Sequence, residues 1–270
     1  MRPILFSIGH IGVPAFFLTI MVGTLAATFY GYWLAKREHA DPVVILDFGI
    51  IGIIASVIGA RFFHIIIENP AYYWEKPIRV FYFWQGGFVS IGAFVFTIAA
   101  ILIYLRIRKL EVLRYLDIES VVIPVVIFFV RLGCFCAGCC YGKPTDFFIH
   151  LTFKDTGSAA GYYYPNVPLH ATQPYFMLNA VVMGILLFLV YKYRRFKGQV
   201  SAVFLMYEGV SRFFIEFLRG DADRGLFFGG LLSTGQIAMI FSFIAGVILY
   251  AVSMQMERGN PGASDNSTSL

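Results

Sequence analysis

The sequence predicts an all-α, polytopic membrane protein, a bundle of about seven transmembrane helices, and three observations carry that prediction. Of the 270 residues, 59% are hydrophobic and only 14% charged, whereas a soluble domain carries about 25% charged residues. The mean hydropathy is +0.73. The apolar residues also gather into runs near the roughly 20 residues that a helix needs to cross a bilayer. Seven such runs can be drawn, at 12–35, 43–67, 86–105, 117–136, 173–191, 199–218 and 232–253. They predict one bundle over 1–253 with no internal repeat. The tail, 254–270, ends in "GNPGASDNSTSL", a polar Gly/Ser-rich stretch that predicts disorder.

The first run lacks a basic leading segment and a small-residue cleavage site, so it reads as a retained helix and not as a signal peptide. The second ends in "GARFFHIIIENPAYYWEKPIRVFYFWQGG". Arg61 and His64 stand three apart there on one helix face. The loop behind them carries Tyr72, Tyr73, Trp74, Phe81, Tyr82, Phe83 and Trp84, side chains that settle at the headgroup level. The third run follows this loop. The fourth ends in "RLGCFCAGCCYGKPT", 131–145, where Arg131 closes an apolar stretch and Gly133, Gly138 and Gly142 admit tight turns and close approach of a ligand. "LHATQPYF" opens the fifth. The sixth carries "YEGVSRFFIEFLRGD", which stacks Glu208, Arg212 and Glu216 on one helix face at i, i+4 and i+8. Arg219, Asp221 and Arg224 prolong that polar patch. An ion-pair ladder that merely holds helices together would look the same up to Glu216. The seventh run is apolar to its end.

The formal charge of +5 does not point to nucleic acid, because the basic residues alternate by loop. Segments after the odd-numbered runs hold eleven of the 21 Lys and Arg, the opposite segments seven. The excess places the N-terminus outside and the C-terminus in the cytoplasm, and gathers loops 68–85, 137–172 and 219–231 on the outer face. A charge at membrane depth costs at least a few kcal/mol, so ionisable residues inside the runs are candidates for function. Arginine keeps its charge and pairs bidentately with phosphate. Arg61, Arg131 and Arg212, expected at one outer depth, predict a site for a phospholipid headgroup.

These stretches, in this order, resemble the prolipoprotein diacylglyceryl transferase family. "RLGCFCAGCCYGKPT" is similar to the family's Arg-Leu-Gly signature, and the run from Gly59 to Gly87 to its second-span arginine and following loop. "LHATQPYF" is similar to its His-Pro-Ser-Gln-Leu-Tyr stretch, and "SRFFIEFLR" to its Phe-Arg-x-x-x-Glu-Phe-x-Arg helix. The resemblance covers nearly the whole chain. It implies a multi-pass enzyme of the bacterial inner membrane that moves the diacylglyceryl group of phosphatidylglycerol onto the lipobox cysteine of a prolipoprotein signal peptide. It further implies Arg131, Arg212, Glu216 and His170 as catalytic residues, and Arg61, Gly133, Gly142, Glu208 and Gln173 as substrate-binding ones. Its partners are the bilayer and these two substrates, with no nucleic acid, no metal and no cofactor.

Several family positions differ. Ile91 stands where the family has a histidine, Cys134 and Ala137 where it has asparagines, Cys139 where it has a glutamate, and "GHIGVPAFF" offers no clear counterpart to an early tyrosine. His64, His170 and Glu216 remain as candidate bases. The missing partners favour a second reading, a non-catalytic homologue that binds an anionic lipid or a different acceptor; the intact Glu208–Arg212–Glu216 face opposes it. A small transporter or redox protein would need charges near the midplane and broken helices, whereas these charges cluster toward one end.

The four cysteines, in the pattern C-x-C-x-x-C-C, lack the paired C-x₂-C spacing that marks a zinc site. Bridging neighbours as close as Cys139 and Cys140 would strain disulfide geometry. The first reading is that small, weakly polar side chains replace the family's Asn and Glu. A redox-sensitive site comes second, a metal site third and an iron–sulfur cluster last.

Overall fold

Each of the seven apolar runs forms a helix in the computed structural model, which describes residues 4–8, 11–82, 87, 89–221, 225–227 and 230–259. In chain order the elements are the hairpin β1 (Ile4–Ile8) and β2 (Ile11–Pro14), then α1 (Ala15–Arg37), α2 (Val43–Phe63), the short α3 (Pro70–Glu75), α4 (Ser90–Ile107) and α5 (Val112–Ala137). There follow β3 (His150–Thr152), the short α6 (Ala159–Tyr163), β4 (Pro168–His170), α7 (Thr172–Lys192), α8 (Gln199–Glu216), β5 (Leu226–Phe227), β6 (Leu232–Ser233) and α9 (Thr234–Gly259). The three two-stranded ribbons are antiparallel. Phe83, Trp84, Arg224 and the tail from residue 260 lie outside the described residues.

Among the described residues five helices are long and apolar enough to cross a membrane: Ala15–Arg37, Val43–Glu68, Val112–Ala137, Thr172–Lys192 and Thr234–Gly259. The apolar stretch of α4, Ile91–Ile107, is shorter, and α8 carries Glu208, Arg212 and Glu216. Large apolar side chains face outward along these helices, among them Phe17, Phe29, Ile50, Phe94, Leu178 and Phe241. Water would penalise that surface; lipid does not. The protein is therefore a polytopic membrane protein.

The chain divides into two units, Met1–Gly31 with Leu113–Leu270, and Tyr32–Val112. In the first, α1 meets α5 at two glycines. A Cβ on Gly23 would stand 2.4 Å from Phe129 Cβ, and one on Gly133 2.4 Å from Thr19 Oγ1. Small residues of this kind let helices in lipid approach closely. Helices α8 and α9 pack likewise at Gly209 and Gly246, where added Cβ atoms would crowd Met239 O and Met206 Cγ. Between α5 and α7 the chain forms a small cap, with Tyr141, Phe153, Ala160 and Leu169 as its buried centre. Ser158 caps α6 by accepting from Gly161 N at 3.1 Å.

At the far end of this unit the buried Asp117, on the second turn of α5, caps α8. It accepts from Gly198 N at 2.7 Å, Ser201 N at 2.9 Å and Ser201 Oγ at 2.8 Å. The first amides of a helix have no partner within it, and here a carboxylate from a distant helix supplies one. Asp117→Ala should lower stability by about 2–4 kcal/mol, since two amides and a hydroxyl then lose their acceptor. The midpoint of thermal unfolding in detergent micelles measures it; a midpoint equal to wild type would show that water replaces the carboxylate.

In the second unit α2 and α4 cross at Gly59 and Gly92. A Cβ on either would lie 2.2–2.3 Å from the other's carbonyl oxygen. Asp47, a charge within α2, accepts a hydrogen bond from Tyr104 of α4. Helix α2 ends in a π-helical turn, His64–Glu68.

Candidate active site

The functional candidates of the first unit lie at one end of its helices: the C-terminal ends of α5 and α8 and the N-terminal ends of α7 and α9. Arg131, on the last turns of α5, is 7% exposed, and its guanidinium stacks 4.0 Å above the ring of Phe176. Phe176 shares a face of α7 with Gln173, three residues earlier. The fully buried Gln173 donates from Nε2 to Cys139 O at 2.8 Å, and Thr172 donates from Oγ1 to Cys140 O at 2.8 Å. The start of α7 thus holds both the floor under Arg131 and the loop beyond it.

The charged face of α8 divides differently from an arginine flanked by two glutamates. Arg212 pairs with Glu208 at 3.6 Å, while Glu216, 1% exposed, accepts from Arg219 Nη1 with both oxygens, at 3.1 and 3.2 Å. Arg219 also donates to Asp221, from Nε at 3.1 Å and from Nη2. Glu216 further accepts from Ser233 Oγ at 3.4 Å. Ser233 in turn opens α9 through a reciprocal cap: Ser233 N donates to Gln236 Oε1 at 2.9 Å and Gln236 N to Ser233 Oγ at 3.2 Å. This is the capping box of a Ser-x-x-Gln sequence. It ties the carboxylate of α8 to the first turn of α9.

The loop after α5 closes the site. Gly138 N donates to Phe135 O at 3.3 Å and Cys139 N to Cys134 O at 3.1 Å, and Gly138 has φ +66°. These two bonds with a left-handed residue make a Schellman stop. Cys140 follows with φ 55°, a conformation uncommon in a residue with a side chain. Gly142 then passes between two strands of backbone. It bridges Arg219, while Lys143 N donates to Leu218 O at 2.8 Å and His170 N to Lys143 O at 2.9 Å.

Charges converge on this end. Arg131, Glu208, Glu216 and Arg219 all lie close enough to Arg212 to act on its charge. The Cys134 and Cys139 thiols hold the Cys140 thiol below its usual range, Arg219 and Arg131 add to the effect, and burial opposes it. Three polar atoms here are buried without a hydrogen-bond partner among the described residues: Arg212 Nε, His170 Nδ1 and Gln173 Oε1. A buried group left unpaired costs free energy, so unpaired atoms on three neighbouring candidates are what a site for a polar ligand requires.

The structure thus places Arg131, Arg212, Glu216, His170, Gln173 and Gly142 in one unit toward one end of its helices, with Glu208 at the middle of α8. Gly133 belongs there for a different reason from the tight turn expected. It lies within α5, and its missing side chain admits Phe16 and Thr19 of α1. Arg61 belongs to the second unit and is occupied there. It donates to Val80 O at 3.2 Å, Gly87 O at 3.3 Å, Arg79 O at 2.8 Å and Tyr82 O at 3.1 Å, with the Tyr73 ring 5.2 Å away. Four carbonyls on one guanidinium organise the loop after α2. His64 in the same unit contacts Tyr73 Oη at 2.9 Å and Glu68 at 3.4 Å, and Ile91 is exposed on the first turn of α4.

Sequence reasoning missed Phe176, Thr172, Ser233 and Gln236. The Ser-x-x-Gln spacing was a readable signal for the last two; nothing in the sequence marks Phe176 as the floor of an arginine.

The family model described as prolipoprotein diacylglyceryl transferase matches residues 3–252. A protein of Clostridium tetani named phosphatidylglycerol–prolipoprotein diacylglyceryl transferase is 28% identical over 258 residues, covering 93% of this chain and 98% of its own. One of Ehrlichia canis with the same name is 30% identical over 247 residues, covering 89% and 92%. A Clostridium perfringens protein named as transferase 2 is 28% identical over 263 residues, covering 97% and 99%. A match that runs almost from end to end, over a chain of long apolar helices, makes this chain a member of the prolipoprotein diacylglyceryl transferase family.

Proposed function

We infer that the protein transfers the diacylglyceryl group of phosphatidylglycerol to the lipobox cysteine of prolipoproteins, at the outer face of the bacterial inner membrane, with its N-terminus outside and its C-terminus in the cytoplasm. The observation that carries this reading is the buried Arg131 and the partly buried Arg212, whose Nε, with His170 Nδ1 and Gln173 Oε1, has no hydrogen-bond partner among the described residues, in a chain of this family.

The reaction needs a thiolate to displace a phosphate ester from a saturated carbon, and its demands match these residues. Charge develops on the leaving phosphate oxygen, and fixed donors in a water-poor site stabilise such charge far better than water does. Arg131 is held rigid by Phe176, and Arg212 by Glu208, with its Nε unpaired. Glu216 keeps Arg219 in place under the loop. The thiol proton must also leave, because the thiolate is the nucleophile. His170, with Nδ1 unpaired, is assigned to take it.

A second reading, a homologue that binds anionic phospholipid without transfer, is favoured by one observation: the exposed, apolar Ile91 in place of the family's histidine. Purified protein in detergent with phosphatidylglycerol and a lipobox peptide separates the two. Transfer gives released glycerol phosphate in step with thioether-linked peptide, and neither with a peptide whose cysteine is serine. Folded protein that binds the lipid but releases nothing would leave the binding homologue standing.

A further inference from the structure

Cys134, Cys139 and Cys140 are drawn together by backbone geometry that sequence spacing does not reveal. In a Schellman stop, the third residue from the helix end and the second beyond it commonly touch through apolar side chains. Here those two positions are Cys134 and Cys139, so the motif juxtaposes two thiols. Cys139 Sγ lies 3.8 Å from Cys134 O. The left-handed backbone of Cys140 then turns the third thiol back toward the other two. The Sγ atoms of all three lie within 4.8 Å of one another, and all are free thiols. Tetrahedral zinc with sulfur ligands at about 2.3 Å sets those sulfurs about 3.8 Å apart. The upper bound of 4.8 Å on the Sγ separations includes that spacing.

The cluster is also held in place. Gln173 and Thr172 donate to the carbonyls of Cys139 and Cys140, each at 2.8 Å. A non-glycine residue in the left-handed region is strained and persists when its surroundings over-determine it. Cys136, one turn back along α5, stands outside the cluster.

We propose that Cys134, Cys139 and Cys140 bind a soft, redox-inert divalent cation of the zinc class, whose fourth position takes the thiol of the acceptor cysteine. Three protein ligands with one open position is the arrangement of catalytic zinc, and a thiol that coordinates such an ion is deprotonated outright. This rests on the transferase reading for the identity of the acceptor. It gives the replacements at Cys134 and Cys139 a chemical purpose: the sulfurs occupy family Asn and Glu positions and take over activation of the nucleophile. The acceptor R–SH binds as thiolate and its proton passes to His170. A sulfur electron pair forms the S–C bond to the glyceryl carbon. The bond from that carbon to the phosphate oxygen breaks, and its electron pair leaves on glycerol phosphate. No oxidant or reductant is involved.

The test uses full-length protein in detergent, loaded with zinc or with cobalt(II) as a spectroscopic probe, then freed of unbound metal. The expected result is one zinc per chain in wild type and in Cys136→Ser, and at least a tenfold loss in Cys134→Ser, Cys139→Ser and Cys140→Ser. Cobalt-loaded wild type should show thiolate-to-cobalt absorption that changes on adding a lipobox peptide, and not on adding its serine analogue. Wild type that retains no metal, with four titratable thiols or a disulfide seen by mass, overturns the proposal. So does a cobalt spectrum indifferent to the peptide thiol, which is a reading on wild type that needs no variant to fold. Full transfer by chelator-treated, metal-free protein would also overturn it while leaving the transferase reading intact. Metal and thiol binding without any transfer would support the site and remove the transferase reading.

Discussion

Arg131→Ala lowers the rate of diacylglyceryl transfer at saturating peptide by about 100-fold or more, the loss typical when one fixed donor to a developing anion is removed. The expectation comes from position more than from charge. The guanidinium is buried, its plane rests 4.0 Å from the Phe176 ring, and Phe176 is itself buried. Its orientation is set before substrate arrives, so no reorganisation is needed as charge builds on the phosphate. Arg131→Lys should fail nearly as badly, because an ammonium offers a point charge without the planar fork. Initial rates of glycerol phosphate release, with unfolding midpoints as a control for folding, check both variants. A loss under tenfold in well-folded Arg131→Ala would assign the phosphate to Arg212 alone.

Gly142→Ala is expected to impair both stability and transfer. A Cβ there would lie 2.3 Å from His170 O and 2.5 Å from His170 Cβ, and neither atom belongs to a flexible side-chain end. His170 N is bonded to Lys143 O, Lys143 N to Leu218 O and Gly220 N to Tyr141 O, so relief on one side loads the other. Overpacking of this kind costs about 1–3 kcal/mol where surroundings can shift, and the upper end applies here. The same displacement moves His170 and the Arg219 anchor of Glu216, which should lower transfer by at least about tenfold, since small misplacements in a site are costly. Unfolding midpoint and transfer rate in one preparation test this. Unchanged values for both would mean that the loop is softer than its hydrogen bonds imply.

The helices were legible because a long apolar run admits little else: each of the seven runs contains a helix, and five of these, among the described residues, are long and apolar enough to cross a membrane. Their ends were less so. Helix α5 begins five residues before the expected span, at Val112. The charge on its second turn, Asp117, is satisfied by Gly198 and Ser201, and no local pattern announces a partner 81 positions away. Within the site, residue types were readable and pairings were not. Glu208, Arg212 and Glu216 do share a face, yet Glu216 takes Arg219, an i, i+3 neighbour beyond the helix. Arg61 shows the opposite limit: a buried arginine looks alike in sequence whether it meets phosphate or four carbonyls of its own loop. The closeness of three thiols was unreadable for a related reason. C-x₄-C-C has no meaning as a ligand pattern until a left-handed turn folds it back.

The first unit is discontinuous in the chain, and that has a consequence for how the protein is made. Helix α1 emerges from the ribosome first, but the residues that lock it, Phe129 against Gly23 and Gly133 against Thr19 and Phe16, follow about a hundred residues later, a separation that makes closure of such contacts slow. The α2–α4 pair, with its Gly59–Gly92 crossing, is complete at Ile107, before either Phe129 or Gly133 is made. Synthesis therefore leaves α1 waiting in the bilayer without its mate after α2 and α4 have been made. During that interval the helix depends on lipid, or on the insertion machinery, to shield a face that the finished protein buries.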